Sequence, residues 1–171
     1  GDEFQGLCAT LEGGLRIVRD LRARLLSEGV GCRFVLGAVR LETPVNPARA
    51  WNMMGPGLAG SRQRLGDKRD ANAYRFELRG EPELQALMEA VGAGLTQIED
   101  SWTDRQREVV LALRGEAAAP LADRLRMSPQ TLYKIRRAGR FDLYERQWAA
   151  LEAMAARLDR ALAWHERSPF P

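Results

Sequence analysis

Apolar residues recur at helical spacing at Leu11, Leu15, Val18, Leu21, Leu25 and Leu26, which predicts a helix over about 9–28 closed by Gly29. The mostly apolar run from Cys32 to Val39, broken at Gly37, reads as a strand central in a sheet. A loop follows at Thr43–Pro44–Val45–Asn46–Pro47. A helix is expected over 48–65, bent or interrupted by Gly55-Pro56-Gly57. Between Asn72 and Arg79 the residues alternate, with Ala73, Phe76 and Leu78 turned to a core, and this predicts a second strand. Glu81–Pro82 opens a helix reaching about Glu99. Beyond Thr103 the pattern is wholly helical. Thr103–Asp104 cap a helix that carries Val109, Val110 and Leu113 and ends at Gly115. Helices over about 118–126, 129–138 and 141–164 follow, the last with an apolar stripe at Leu143, Trp148, Leu151, Met154, Leu158 and Leu162.

Helix and strand alternate over residues 1–80, the pattern of an α/β (α+β) unit. Two strands and a stub make a thin sheet, so strands N-terminal to Gly1 are expected. The organisation read from the sequence is therefore an α/β domain over 1–99, incomplete at its N-terminus, and an all-α domain over 100–167. Charge divides along the same line. Residues 1–100 carry a net −1, and residues 101–171, with 13 basic and 9 acidic side chains, a net +4. Only Lys68 and Lys134 among the 26 basic residues are lysines. That bias suits phosphate contacts, and a GC-rich genome produces the same bias and is the preferred reading. Cys8 and Cys32 have no metal-ligand spacing and His165 is the only histidine, so free thiols in the cytoplasm are expected and no zinc site. No apolar run approaches membrane-spanning length, and no signal peptide is expected.

The most informative run is Leu121 to Arg137. Leu121, Ala122 and Leu125 share one face of a first helix. Ser128 is a good N-cap and Pro129 occupies the first position of a second helix, where its missing N–H costs nothing. Leu132 and Ile135 turn that helix inward and leave Gln130, Thr131, Tyr133, Lys134 and Arg137 outward. Amides, hydroxyls and cations on an exposed helix face are what a DNA major groove accepts, so residues 100–167 read as a helix-turn-helix (HTH) domain. Gln130 and Thr131, nearest the helix N-terminus, are expected at base edges. Tyr133 and Lys134 reach bases or backbone, and Arg136, Arg137 and Arg140 touch phosphates. The turn between such helices often needs a positive φ and usually holds glycine; here Arg126 stands near that position. The long last helix is expected to pack on this unit or to dimerise it.

The N-terminal run GDEFQGL, the strand CRFVLGAVR and the segment ARAWNMMGPGLAGSRQRLGD occur in that order ahead of the C-terminal helices. Together they resemble the SatD family, a bacterial group that pairs an α/β domain bearing a GDEFQGL-like motif with a C-terminal HTH. The family pattern more usually reads Asp-Gly-Pro-Ala where this chain has Met54-Gly55-Pro56-Gly57. The GDEF string also resembles the signature hairpin of diguanylate cyclases, as does the order long helix, strand, helix after it. That resemblance implies a cyclase-like sheet in which Asp2 and Glu3 hold Mg2+ or a nucleotide, hard cations taking oxygen ligands and neutralising phosphoryl charge. The cyclase signature also has a Gly before Gly1 and a carboxylate on an upstream strand, positions that lie outside this sequence.

Other features read as structural. Trp51, Trp102, Trp148 and Trp164 are core or interface aromatics, and His165 faces solvent. Arg62, Arg64, Lys68, Arg69 and Asp70 form a solvated helix end rather than an anion site. No nucleophile–base constellation or phosphate loop is present. The sequence therefore supports a cytoplasmic transcriptional regulator that reads double-stranded DNA as a homodimer, without a required cofactor, and leaves open whether the full-length protein is an enzyme. The alternatives are a nucleotide sensor or degenerate cyclase using Asp2 and Glu3, and an adaptor whose helices dock a protein.

Overall fold

The computed structural model describes residues 3–39, 41–45, 54–55 and 57–167. Among these, seven helices and two strands follow one another: α1 (Leu11–Ser27), β1 (Phe34–Ala38), α2 (Leu58–Gly66), β2 (Tyr74–Leu78), α3 (Pro82–Asp100), α4 (Asp104–Ala112), α5 (Ala118–Arg124), α6 (Pro129–Ala138) and α7 (Phe141–Arg167). The chain is thus helix-rich with a small parallel sheet, as the α/β reading requires in its broad form. Most expected elements stand within a few residues of their expected ends. The exception is the helix expected over 48–65. Met54 and Gly55 are not helical and α2 begins only at Leu58, after Gly57 in the left-handed region at φ 97°. Residues 46–53 and Pro56, with Trp51 among them, lie outside the described residues.

Strands β1 and β2 pair in parallel, with Phe34 opposite Tyr74 and Ala38 opposite Leu78. The alternation read for β2 gives way to near-complete burial: Ala73, Tyr74, Arg75, Phe76 and Leu78 are all inside. Both faces are covered, by α3 on one side and α2 on the other. Arg75 is tolerated there because its guanidinium donates to the carbonyls of Arg64, Asp70 and Asn72 and pairs with the Asp70 carboxylate at 3.0 Å.

Two apolar cores result. The larger gathers Leu11 and Leu15 of α1, Phe34, Leu36, Tyr74, Phe76 and Leu78 of the sheet, Met88, Leu95 and Ile98 of α3, and Tyr144, Trp148, Leu151, Ala155 and Leu158 of α7. The last helix therefore belongs to the same core as the sheet, lying across α1 and α3. The smaller core joins α4, α5 and α6 through Val109, Leu121, Ala122 and Leu132. Asp159 of α7 accepts the Leu11 and Glu12 amides at 2.8 and 2.9 Å, neutralising two unpaired donors at the start of α1. No helix among the described residues is long and apolar enough to cross a membrane.

A second fastening is ionic. Arg22 (α1) donates from Nε to Glu99 (α3) at 2.9 Å and from Nη1 to the Cys32 carbonyl at 2.8 Å. The hydroxyls of Tyr74 (β2) and Tyr144 (α7) donate to the other Glu99 oxygen at 2.5 and 3.2 Å. All four side chains are buried. Burial raises the Glu99 carboxyl above its ordinary range against the pull of Arg22 and the hydroxyls. Burial and the Glu99 charge together push both phenols up. Four elements thus meet at one carboxylate, which fixes α7 in register with the sheet.

Candidate nucleic-acid interface

Local signals set the ends of α5 and α6. Ser128 accepts the Thr131 amide at 3.1 Å and Pro129 opens α6, as the sequence predicts. The end of α5 is closed by two reversed bonds: the Met127 amide donates to the Ala122 carbonyl at 3.0 Å and the Arg126 amide to the Asp123 carbonyl at 3.1 Å. This pairing needs a left-handed residue between helix and turn, and Arg126 supplies it at φ 51°. The end of α1 makes the same two bonds, Val30 to Leu25 and Gly29 to Leu26, around Gly29 at φ 70°. After α6 the chain enters α7 through Arg140 at φ 56°. These two arginines are the positive-φ residues other than glycine among the described residues, and they bracket α6.

The inner face of α6 is fixed by Leu132, Ile135 and Gly139. Gly139 lies so close to α4 that a Cβ there would stand 2.6 Å from Val110 Cγ2. Its carbonyl accepts the Trp102 indole N–H at 2.8 Å, which ties the end of α6 to the α3–α4 junction. Trp102 and Trp148 are buried, and the Trp164 and His165 side chains lie outside the described residues. Outward on α6 stand Gln130, Thr131, Tyr133, Lys134 and Arg137, all exposed, with Tyr133 at 62%. Gln130, Tyr133, Lys134 and Arg137 follow i, i+3, i+4, i+7 and so form one stripe. The helix carries no acidic residue.

Ion pairing separates the nine cations from Arg105 to Arg140 into two groups, and beyond them Arg146, Arg157 and Arg160 of α7 also meet no carboxylate within 4 Å among the described residues. Arg105, Arg107, Arg114, Arg124 and Arg136 each meet a carboxylate, on Glu108, Asp104, Asp20, Glu116 and Asp142. Among the described residues no carboxylate lies within 4 Å of Arg126, Lys134, Arg137 or Arg140. Arg136 differs from its neighbours: it is half-buried, held by Asp142 at 2.5 Å and laid over the Phe141 ring at 5.0 Å. It packs α6 on the start of α7. The structure therefore brings Gln130, Thr131, Tyr133, Lys134, Arg137 and Arg140 to the surface and leaves Arg136 in a joint.

At the other end of the chain, Asp2 lies outside the described residues. Glu3 is exposed, 4.0 Å from Arg62 Nε, and residues 3–8 carry no regular structure. Arg64 bridges Glu77 at 2.9 Å and Glu89 at 2.6 Å, while Lys68 and Arg69 are exposed. Cys8 and Cys32 are free thiols. Among the described residues no group of three His, Cys, Asp or Glu side chains is placed to hold a metal ion.

Sequence reasoning passed over Arg126 as a contact residue, and it passed over the buried Arg22–Glu99 pair. The second left a signal: Arg22 continues the Leu11, Leu15, Val18 stripe and Glu99 the Met88, Gly92, Leu95 stripe, two opposite charges on apolar faces. No protein-family model, no curated protein and no solved structure matches this chain.

Proposed function

We propose that the protein is a DNA-binding regulator that lays α6 in the major groove of duplex DNA, using α4–α6 as a helix-turn-helix. One observation carries the reading. The exposed stripe Gln130, Tyr133, Lys134 and Arg137 has no acid on its helix, and the helix is flanked by two arginines in a backbone conformation that disfavours them. A left-handed residue with a Cβ costs about 1–2 kcal/mol, and such strain is retained where it serves a site. Four cations without carboxylate partners around one helix form an electrostatic footprint for phosphate. The resemblance of the sequence to the SatD family, with its C-terminal HTH, points the same way. In this arrangement Gln130 and Thr131 read base edges, Tyr133 and Lys134 reach base or backbone, and Arg126, Arg137 and Arg140 hold phosphates. Trp148, Leu151 and Leu158 of the α7 stripe are buried in the core of the sheet, α1 and α3, while Leu143 and Leu162 stay exposed, so α7 ties the reading unit to that core.

Fluorescence anisotropy with random-sequence duplex at about 50 and 200 mM salt is the direct test. Four phosphate contacts predict that log K falls with log salt at a slope of about −3 to −4. Lys134→Ala should take about 0.9 from that slope, and Gln130→Ala should weaken preference for a selected site by about 1–3 kcal/mol. No binding at the lower salt, or binding without salt dependence, defeats the proposal and favours protein docking.

A further inference from the structure

One buried cation is left partly unmet. Arg22 gives Nε to Glu99 and Nη1 to the Cys32 carbonyl, while Nη2 meets no acceptor among the described residues. Nor is Nη2 sealed in. The Arg22 side chain, 4% exposed, lines a cavity of about 360 Å3 between the end of α3, the loop from α1 to β1 and the loop from α2 to β2. Arg33 and Lys68 line the same cavity, both exposed and without a carboxylate within 4 Å among the described residues. Two acids stand with them. Asp70 is spent on Arg75 and on the Asn72 amide, whereas Asp100, at the end of α3, has no cation within 4 Å among the described residues. With Arg22 balanced by Glu99 and Asp70 by Arg75, two cations are left to one acid. The loop amides of Gly31, Cys32, Arg33 and Ala71 also donate to nothing among the described residues.

We propose that this cavity binds a small oxyanion, the phosphate or carboxylate head of a metabolite, on Arg22 Nη2 within and on Arg33 and Lys68 at the mouth. Arginine suits the inner position, because its planar fork matches an oxyanion and it stays charged when buried. Read in sequence, Lys68 belongs to a solvated helix end. The fold sets it on one cavity with two arginines from other segments, one of them buried, which a solvated end does not require. The volume lies near the lower bound of about 300 Å3 for ligand pockets, so the occupant is a small molecule. Asp100 disfavours a second negative charge and is free to accept a hydroxyl or ammonium of the same molecule. None of these residues belongs to α4, α5 or α6, so the site stands whether or not α6 binds DNA.

The two thiols provide the test, since Cys32 lines the cavity and the exposed Cys8 does not. The full chain is labelled with iodoacetamide and each cysteine followed by peptide mass spectrometry. Inorganic phosphate and lactate are the probes, each at up to about 10 mM, with ionic strength held by chloride. Bound oxyanion should slow Cys32 labelling severalfold and leave Cys8 at its own rate. Phosphate held on α6 would not shield Cys32, so this site and the DNA surface fail separately. Protection by one probe and not the other identifies the head the site takes. Arg33→Gln with Lys68→Gln should need about tenfold or more of the same probe for equal protection, at unchanged Tm because both side chains are exposed. If the double variant does not fold, Lys68→Gln alone carries the comparison. Cys32 labelled at one rate with and without either probe overturns the proposal. So does slowing that falls equally on Cys8, or protection that persists undiminished in the folded variant.

Discussion

Replacing Arg126 with glycine should make the protein more stable and bind DNA less well. Arg126 holds φ 51° at the end of α5, and its side chain is exposed with no carboxylate within 4 Å among the described residues. The left-handed backbone costs a residue with a Cβ about 1–2 kcal/mol. Glycine removes that term and forfeits about 0.5–1 kcal/mol through its freer unfolded chain. The net expectation is a gain of about 0.5–1 kcal/mol, which at this chain length raises Tm by about 1–4 °C. The two reversed bonds that close α5 involve backbone only and persist. Gly29 provides the internal control. It occupies the equivalent position after α1, within the same pair of bonds, where no DNA surface is proposed. Gly29→Arg should therefore lose about what Arg126→Gly gains. In anisotropy, Arg126→Gly should lower the salt slope by about 0.9 if the guanidinium meets one phosphate. Thermal melting and salt titration of the same preparation separate the two effects. A less stable Arg126→Gly would refute the strain. A stabilised variant with an unchanged slope would refute the reason given for tolerating it.

Three further outcomes follow from the larger core. Gly92→Ala, ordinarily stabilising in a helix, should here cost about 1–3 kcal/mol in urea unfolding, because its Cβ would stand 2.7 Å from the Tyr74 carbonyl oxygen; a neutral result would mean that α3 and β2 can move apart freely. Arg22→Met should lose about 3 kcal/mol, leaving Glu99 buried without its cation, and Arg22→Met with Glu99→Gln should recover part of it; strict additivity would show that the pair is not coupled. Tyr74 and Tyr144 have phenols raised by burial and by Glu99. Their neutral forms support the fold fully below the ordinary phenol range of about 10, and that support is lost as pH climbs toward their raised values, since the unfolded chain ionises first. In a Tyr133→Phe background, phenolate absorbance should appear only together with alkaline unfolding; reversible ionisation of a folded chain would contradict the burial.

What the sequence made legible was what local chemistry decides. Ser128, Pro129 and Gly139 mark the ends of α6 because caps act on their own helix within a turn, and Leu132 and Ile135 fix which face is hidden, so exposure of Gln130, Thr131, Tyr133 and Lys134 follows from helical period alone. Arg136 shows where that reasoning stops. Its partner Asp142 lies six residues on, across the break between α6 and α7, and only the angle of that break decides that this arginine is a joint while Arg137 is surface. Long-range pairing was illegible for the same reason. The α7 stripe announced a buried face without naming the face it meets, and Trp148 settled against Tyr74 of the sheet rather than on the reading helices beside it in sequence. Arg75 broke the alternation of β2 because α2 and its loop bring three carbonyls to one guanidinium, an arrangement with no period to read. Arg22 and Glu99 were visible as misfits on two apolar faces, but misfits of opposite sign become a pair only once the fold sets 77 residues of chain between two ends of one hydrogen bond. A misfit that the fold neutralises, as there, is a structural device. One that the fold leaves exposed and strained, as at Arg126 and Arg140, meets no carboxylate among the described residues, and the proposed DNA contact is the reason offered for keeping it.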